Sequence, residues 1–333
     1  MTNPTIRDVA REASVSVASA SRAMNGHPNV TASTRQRVLD AARRLNYMPH
    51  SGARSLTMRH SNTIGVVLPD LFGEFFSEII RGIDGAARRR GFQLLLAHHD
   101  CATETAAAIQ AMRGRVDGLL VMSPHIDTNF LATNLPRGLP VVVMNSRAGS
   151  AGYTSLSIDS FTGALAMVEY LVDQGFRRIA HISGPKGNRD AEERLRGFRQ
   201  AMGDLLGDKD PLIIAGDFSE ESGREAGRIL AADKLPVDAV FAANDVMAVG
   251  CMFALIDAGV SVPADIAVAG FDDIPIARYV TPGLTTMQVH IAELGTLALE
   301  TLVDAIADPG APAKAARMLT PELVVRQSTG KPR

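Results

Sequence analysis

The stretch from Thr5 to Asn25, TIRDVAREASVSVASASRAMN, constrains the fold of this chain more than any other, because it reads as two short amphipathic helices around a tight turn. Ile6, Val9, Ala10 and Ala13 recur at i, i+3, i+4 and i+7 and lay one apolar stripe along the first helix. Ser14, Val15 and Ser16 interrupt the pattern. Ser16 suits an N-cap, since its hydroxyl can accept from the free backbone N–H groups of the turn that follows. In the second helix Ala20, Ala23 and Met24 face the first, whereas Val17, Ala18, Ser21, Arg22 and Asn25 face away. That outward face suits the major groove of DNA. The small side chains of Val17 and Ala18 allow close approach to base edges and thymine methyls, and Arg22 offers two donors to a guanine. Ser16, Ser21 and Asn25 suit phosphates. A helical hairpin inside a larger core is the alternative, and an arginine on the exposed face argues against it.

Charge is divided along the chain in a way that supports the nucleic-acid reading. Residues 1–60 hold nine arginines against Asp8, Glu12 and Asp40, a surplus of six positive charges. The remainder carries 25 basic and 33 acidic side chains, so a basic head precedes an acidic body and only the head should attract polyanions. With 333 residues, 46% of them hydrophobic, the chain can bury two or three substantial cores and is not disordered. Cys101 and Cys251 lie far apart without metal-ligand spacing, and the N-terminus lacks a secretory apolar stretch. A reducing cytoplasm is the expected setting. No run of 18 apolar residues is present to span a membrane.

A third helix is expected after Thr31, whose residue type suits a cap, with Val38, Ala41, Ala42 and Leu45 as the buried face; it completes a three-helix head ending near Tyr47. The connector HSGARSLTMRH has only Ala53 and Leu56 to bury and contains Gly52, so a helix there is marginal by itself. From residue 63 the texture becomes α/β. Strand-like runs TIGVVLPD, FQLLLAHHD, VDGLLVMSP, LPVVVMN, RRIAHISGP, PLIIAGDF, VDAVFAAND and DIAVAGFDD alternate with helical stretches, the pattern of parallel sheets. They fall into two sets around a helix near residues 161–175, which predicts two similar lobes. Ligands of parallel sheets bind beyond the carboxyl ends of the strands, and those ends here carry Asp70, Ser123, Asn145, Asn244, Asp245, Asp272 and Asp273.

The segments IRDVAREASVSVASASRAMN, RLNYMPHSGARSL, ERLRGF, GDFSEESG, FAANDVMAVG, GVSVPADIAVAGFDD and ARYVTPGLTT resemble, in order and spacing, those of LacI/GalR-type transcriptional regulators. The resemblance covers essentially the whole chain. It implies a helix-turn-helix head over residues 1–48, a hinge over 49–61, and a two-lobed body over 62–333 similar to periplasmic sugar-binding proteins. The first lobe is expected at about 62–160 and 289–316, the second at about 161–288 and 317–330. The resemblance assigns base reading to Val17, Ala18 and Arg22, and phosphate contacts to Thr5, Ser16, Ser19, Ser21, Asn25 and Thr31. It also places Ala53 and Leu56 of two subunits in the minor groove at the centre of a palindromic operator, with Leu56 as a wedge. A hinge that folds only on DNA could be controlled by moving the lobes. His50, Gly52 and Ser14 depart from the residues usual at their places.

For the cleft, the resemblance matches Arg194 to a ligand-binding arginine, Asn244 and Asp272 to groups that hydrogen-bond the effector, and Phe218 to an aromatic lid. Phe72, Phe75 and Phe76 add apolar faces, and Asp70, Asn145 and Arg147 line the first lobe. This mixture suits a sugar, whose hydroxyls want guanidinium and carboxylate partners and whose C–H face wants a ring. The phenylalanines could instead be core residues, and Arg194 a surface charge.

Nothing in the sequence supports catalysis. The run His98, His99, Asp100, Cys101 supplies metal-ligand types, but adjacent strand residues face opposite ways, so no metal or cofactor is expected. The chain contains no G-x-S-x-G elbow, Walker A loop or H-E-x-x-H helix. The expected molecule is a homodimeric, effector-controlled repressor, a two-fold operator being read by two heads; no leucine heptads follow the last strand to build a tetramer. Two rivals remain: the same regulator with a purine or other planar effector sandwiched by Phe75, Phe76 and Phe218, and a binding module whose head engages a protein.

Overall fold

A computed structural model describes residues 4–47, 60–98, 101–122, 128–135, 138–146, 153–232, 236–310 and 316–330. The chain divides into two compact units, residues 1–61 and 62–333. The connector residues Ala53 and Leu56, together with His50 and Gly52, lie outside the described residues, as do Ser123 and Arg147 of the body.

The first unit is built from α1 (Ile6–Glu12), α2 (Val17–Met24) and α3 (Ala32–Arg44). Its core consists of Val9, Ala10, Ala13, Ala20, Ala23, Val38, Ala41 and Ala42. The alanines let helix backbones approach closely, and Val9 and Val38 supply the larger share of burial, about 1.5–3 kcal/mol each. Each helix start is fixed locally. The Thr5 N–H donates to the Asp8 carboxylate at 2.9 Å, Ser16 Oγ accepts from Ser19 N at 3.1 Å, and Thr31 Oγ1 accepts from Thr34 N at 3.4 Å. Ser14 takes up the turn with φ of 51°, a left-handed conformation that favours glycine. Arg35 ties the loop between α2 and α3 by donating to His27 O at 2.8 Å and Gly26 O at 3.2 Å.

The second unit opens with β1 (Thr63–Leu68), α4 (Glu74–Arg90), β2 (Gln93–His98), α5 (Ala102–Met112), β3 (Gly118–Met122), α6 (Thr128–Asn134), β4 (Val141–Met144) and β5 (Thr154–Ile158). It continues with α7 (Ser160–Asp173), β6 (Ile179–Ser183), α8 (Arg189–Leu206), β7 (Ile213–Ala215), α9 (Glu220–Ala232), β8 (Ala239–Ala242), α10 (Asp245–Asp257) and β9 (Ala267–Ala269). A 3₁₀ turn (Pro275–Arg278), β10 (Thr286–Gln288), α11 (Ile291–Ala307), β11 (Arg317–Leu319), β12 (Glu322–Val324) and a second 3₁₀ turn (Gln327–Thr329) complete it. One sheet has the order β11-β5-β4-β3-β1-β2 and a second the order β7-β6-β8-β9; all neighbours in both are parallel. β10 and β12 form an antiparallel pair.

The continuous apolar runs arise because both faces of each sheet are covered. In the first sheet Val66, Leu68, Leu120, Val142 and Met144 pack with α4 and α11, while Val67, Leu119, Val121, Val141 and Val143 pack with α5. The period of two sorts neighbours onto opposite faces. In the second sheet Ile179, Ala239 and Phe241 join the core shared with the first lobe, and Ala180, Ile182, Val240 and Ala242 pack with α9 and α10. A Cβ at Gly227 of α9 would fall 2.6 Å from the Cys251 carbonyl of α10, so those two helices meet backbone to backbone.

Eight strands were expected in two sets of four; the first sheet gains β5 and β11. β11 pairs with β5 through Arg317↔Leu156, so the return to the second lobe comes after Leu319 and the expected boundary at residue 317 is corrected. The sequence RML offers three residues, largely exposed, and therefore no apolar run to mark a strand. The chain crosses between lobes at Asp159, at Val289–His290 and at Thr320–Pro321. Near these crossings Thr285 N donates to Ser328 Oγ at 2.8 Å, and Thr329 Oγ1 lies 2.9 Å from Tyr170 OH, which seats the last turn in the second lobe.

His181 of β6 is fully buried, stacked on Phe198 at 4.8 Å, with Nδ1 2.8 Å from Phe241 O and no partner for Nε2. Burial first, with nearby Arg194 and Arg199 adding to it, pushes its pKa down to about 3. Its stabilising contribution is therefore present above the unfolded value near 6.5 and is lost as pH falls toward 3. Asp190, Asp245 and Asp272, whose pKa values are raised, act with the opposite sign. The denaturant midpoint of the His181→Phe variant should consequently fall less than the parent's between pH 6.5 and 4, as followed by fluorescence or circular dichroism; parallel curves would contradict this.

Candidate functional site

On the head, α2 presents Val17 at 45% exposure together with exposed Ala18, Arg22 and Asn25, while Ser19 and Ser21 are half-buried. The opposite face is spent on packing: Ala20 and Ala23 are in the core. Ser16 Oγ is held by Ser19, accepting from its N–H and donating to its Oγ at 2.9 Å. Thr5 Oγ1 donates to Asp8 at 2.7 Å. Thr31 is exposed at the start of α3. Every acid of the described head already faces an arginine: Asp8 with Arg11, Asp40 with Arg43 at 2.5 Å, and Glu12 with Arg44 at 3.2 Å. Arg22 has no ion pair among the described residues, so its guanidinium stays available at the middle of the exposed face.

In the body, polar side chains gather where strands of both lobes end. Arg194 of α8, only 3% exposed, is the hub. It donates from Nη2 to Asp272 at 2.9 Å, from Nη1 to Ala243 O at 2.5 Å and from Nε to Ser160 Oγ at 3.4 Å, and its guanidinium lies 3.8 Å over the Phe271 ring. The surface-charge alternative for Arg194 is thereby excluded. Asp272 follows β9 with φ of 111°, a strained conformation for a non-glycine residue. Burial above all, opposed by the charge and hydrogen bond of Arg194 and helped by Asp190, leaves its pKa raised to about 6. Burial likewise raises Asp190, which accepts from Ser160 Oγ at 3.3 Å. Asp245, buried beneath, is raised well above the usual range by burial and then by Asp272, although Thr286 Oγ1 and Ile274 N donate to it at 2.5 and 2.9 Å. One guanidinium thus pairs directly with a single carboxyl, Asp272, while Asp190 and Asp245 are met by hydroxyl and backbone donors.

Asn145 stands at the end of β4, 1% exposed, with φ of 44° and neither amide atom hydrogen-bonded. Next to it, Ser146 O accepts from Arg189 Nη1 of α8 at 2.5 Å, a tie between the lobes. A second tie runs from Ile276 N to Glu74 Oε2 at 2.8 Å. An amide buried with its donor and acceptor both free has lost its water contacts without replacement, at a cost of about 1–3 kcal/mol that a ligand could recover.

The other expected cleft residues divide. Asn244 caps α10, accepting from Met247 N at 2.9 Å and donating to Phe218 O at 3.1 Å, so it holds the loop that carries Phe218. Phe218, with φ of 74°, is half-buried on Gly184; a Cβ at that glycine would fall 2.5 Å from the ring. Phe75 and Phe76 pack on the shared core, 5.4 Å apart and edge to face at 85°. Asp70 Oδ1 accepts from Leu71 N and Phe72 N at 2.6 and 3.0 Å and shapes its own loop. Phe72 is 78% exposed and is not brought to the Arg194 cluster. Ser160, Arg189 and Asp190 were not foreseen. Asp190 and Arg189 open the helix that carries Arg194, one turn before it, and Asn188 caps that helix by accepting from Ala191 N at 3.1 Å; the signal was that N-cap. Among the described residues no group of three His, Cys, Asp or Glu side chains could hold a metal ion.

Two family models match the chain: "Bacterial regulatory proteins, lacI family" over residues 5–50 and "Periplasmic binding protein-like domain" over residues 168–329. The HTH-type transcriptional repressor PurR of Proteus mirabilis (strain HI4320) is 35% identical over 329 residues, covering 97% of this chain and 96% of that protein. The crystal structure of the lac repressor dimer bound to operator and the anti-inducer ONPF superposes with a TM-score of 0.88 at 28% identity, covering 98% of this chain and 99% of that one. The complex of the transcriptional regulator CelR with cellobiose gives a TM-score of 0.71 at 31% identity, with coverage of 98% and 99%.

Removing one partner of the buried ion pair should cost far more than replacing both. Arg194→Met, which strands Asp272, is expected to lower unfolding free energy by about 3–5 kcal/mol, and Arg194→Met with Asp272→Leu to recover most of it. Urea titration of both variants measures the difference; equal losses would mean that the pair contributes nothing specific.

Proposed function

The chain belongs to the LacI family of bacterial regulatory proteins, and from this membership we propose that it is a homodimeric, sequence-specific DNA-binding repressor controlled by a small molecule held between its lobes. The observation that carries the reading is the outward face of a capped second helix, where Val17, Ala18 and Arg22 are exposed. Val17 and Ala18 meet thymine methyls and Arg22 a guanine, while Thr5, Ser16, Ser19, Ser21, Asn25 and Thr31 bind phosphates. Residues 1–48 act as the reading head and 49–61 as the hinge, whose Ala53 and Leu56 enter the minor groove of a palindromic operator. The protein works in the cytoplasm and catalyses nothing; its output is occupancy of DNA.

The effector best suited to the cleft is a sugar. The carboxyls around Arg194 and the free amide of Asn145 offer donors and acceptors to neighbouring hydroxyls, and the related CelR is seen with cellobiose. Phe75 and Phe76 stand edge to face, so these two rings alone form no parallel sandwich for a planar base. Asp70, Phe72, Phe75, Phe76, Arg147, Phe218, Asn244 and Asp272 complete the proposed lining. Control follows from differential affinity: an effector preferring one arrangement of the lobes shifts the operator-binding population, whereas one binding both equally shifts nothing.

Operator selection from a palindromic duplex library, read by gel shift, tests the DNA reading. Arg22→Ala should weaken the selected operator by about 1–3 kcal/mol and relax preference at a single base pair per half-site. Absence of any sequence preference in the parent would favour a protein partner for the head. A thermal-shift panel of sugars and nucleobases tests the effector: a sugar should raise Tm with concentration, and a response to nucleobases alone would overturn the sugar assignment.

A further inference from the structure

Among the described residues, two hydrogen bonds join the lobes away from the crossovers, and each pairs a charged side chain of one lobe with the backbone of the other. Arg189 Nη1, at the start of α8 in the second lobe, donates to Ser146 O just beyond β4 of the first at 2.5 Å. In the opposite sense, Glu74 Oε2, at the start of α4 in the first lobe, accepts from Ile276 N in the 3₁₀ turn of the second at 2.8 Å. The backbone ends of both bonds are held in place. Asn145 N, beside Ser146, donates to Leu156 O at 2.9 Å, and Ile274 N, at the head of the turn that carries Ile276, donates to Asp245 Oδ2 at 2.9 Å. The side-chain ends are the adjustable ones. Glu74 and Arg189 are half-buried and have no ion pair among the described residues, so each brings a whole charge to a backbone dipole across the gap. When the lobes part, water takes over both groups, so the bonds bias an arrangement without locking it.

Spacing gives the two bonds their effect. In the first sheet β3 separates β1, which leads to Glu74, from β4, which leads to Ser146; in the second sheet β8 separates β6, which leads to Arg189, from β9, which leads to Ile276. Two strand spacings amount to about 10 Å on each side. The Arg194 cluster occupies the same row of strand ends, reaching Ala243 after β8 and Asp272 after β9. Together with the crossovers, two separate attachments oppose opening and twisting alike, whereas one alone would leave a swivel.

We propose that Glu74 and Arg189 form a two-point latch that sets the resting balance between the arrangement of the lobes seen here and a more open one, and through it the operator affinity of the effector-free protein. The inference rests on the reading of the chain as an effector-controlled DNA-binding regulator. A latch acts on populations: weakening it moves the resting equilibrium, and every affinity that distinguishes the two arrangements moves with it. A residue that only touched the effector would leave effector-free operator affinity unchanged. One that only supported the fold would lower Tm and leave that affinity unchanged as well.

The test uses the full-length protein without effector and an operator selected with the parent. E74A and R189A should each change operator affinity, in the same direction because both release the same arrangement, and the double variant should change it by about five-fold or more. The conservative E74Q and R189K, which keep an acceptor and a donor, should stay near the parent. Either single variant carries the test if the other does not fold. Parent-like operator binding by E74A/R189A would overturn the proposal, as would opposite shifts for the two single variants. An equal proportional change on random duplex would overturn it too, since the effect would then lie in the head. If the parent selected no operator at all, the DNA-binding reading would fail instead, so the two failures are distinguishable.

Discussion

A charge that cannot reach water must be satisfied by the protein, and in the body that charge is Arg194. Its fork reaches the end of β8 through Ala243, the end of β9 through Asp272, and the crossover into α7 through Ser160. A guanidinium suits this role because its planar fork presents donors in fixed directions and cannot shed its proton. The arrangement is costly: Asp190, Asp245 and Asp272 all have their ionisation opposed by burial. These polar groups are concentrated at the ends of strands whose interiors are otherwise apolar.

The head meets a different constraint. Its core is small and rich in alanine, so it cannot rely on large side chains, and its helices are instead anchored at their starts by Thr5, Ser16 and Thr31. Packing consumes one face of α2 and leaves the other unobstructed. The pairing of Asp8, Glu12 and Asp40 with arginines removes the competing acids, so that the remaining positive charge acts outward.

Much of this was legible in the residues. The helical period located α1, α2 and α3, and continuous apolar runs located β1 to β4 and β6 to β9, because both signals come from burial that repeats along the chain. β11 was hidden because three mostly exposed residues carry no such repeat, and its partner β5 combines threonine and serine with only two aliphatic residues. In the body, the family resemblance singled out Arg194 and Asp272, but their pairing is a matter of three-dimensional approach between α8 and the loop after β9. The commitment of Asn244 to capping and of Asp70 to its own loop was equally invisible. Either side chain could serve a ligand or the backbone, and only geometry decides.

The apolar interior facing α7 and α11 is shared: Ile158, Phe271, Met287 and Val289 join residues of both sheets in one cluster. The lobes are therefore not interchangeable cassettes. A foreign half would arrive with a seam shaped for another partner, so new ligand tastes in such a scaffold are more easily acquired by exchanging side chains at the strand tips than by shuffling whole halves.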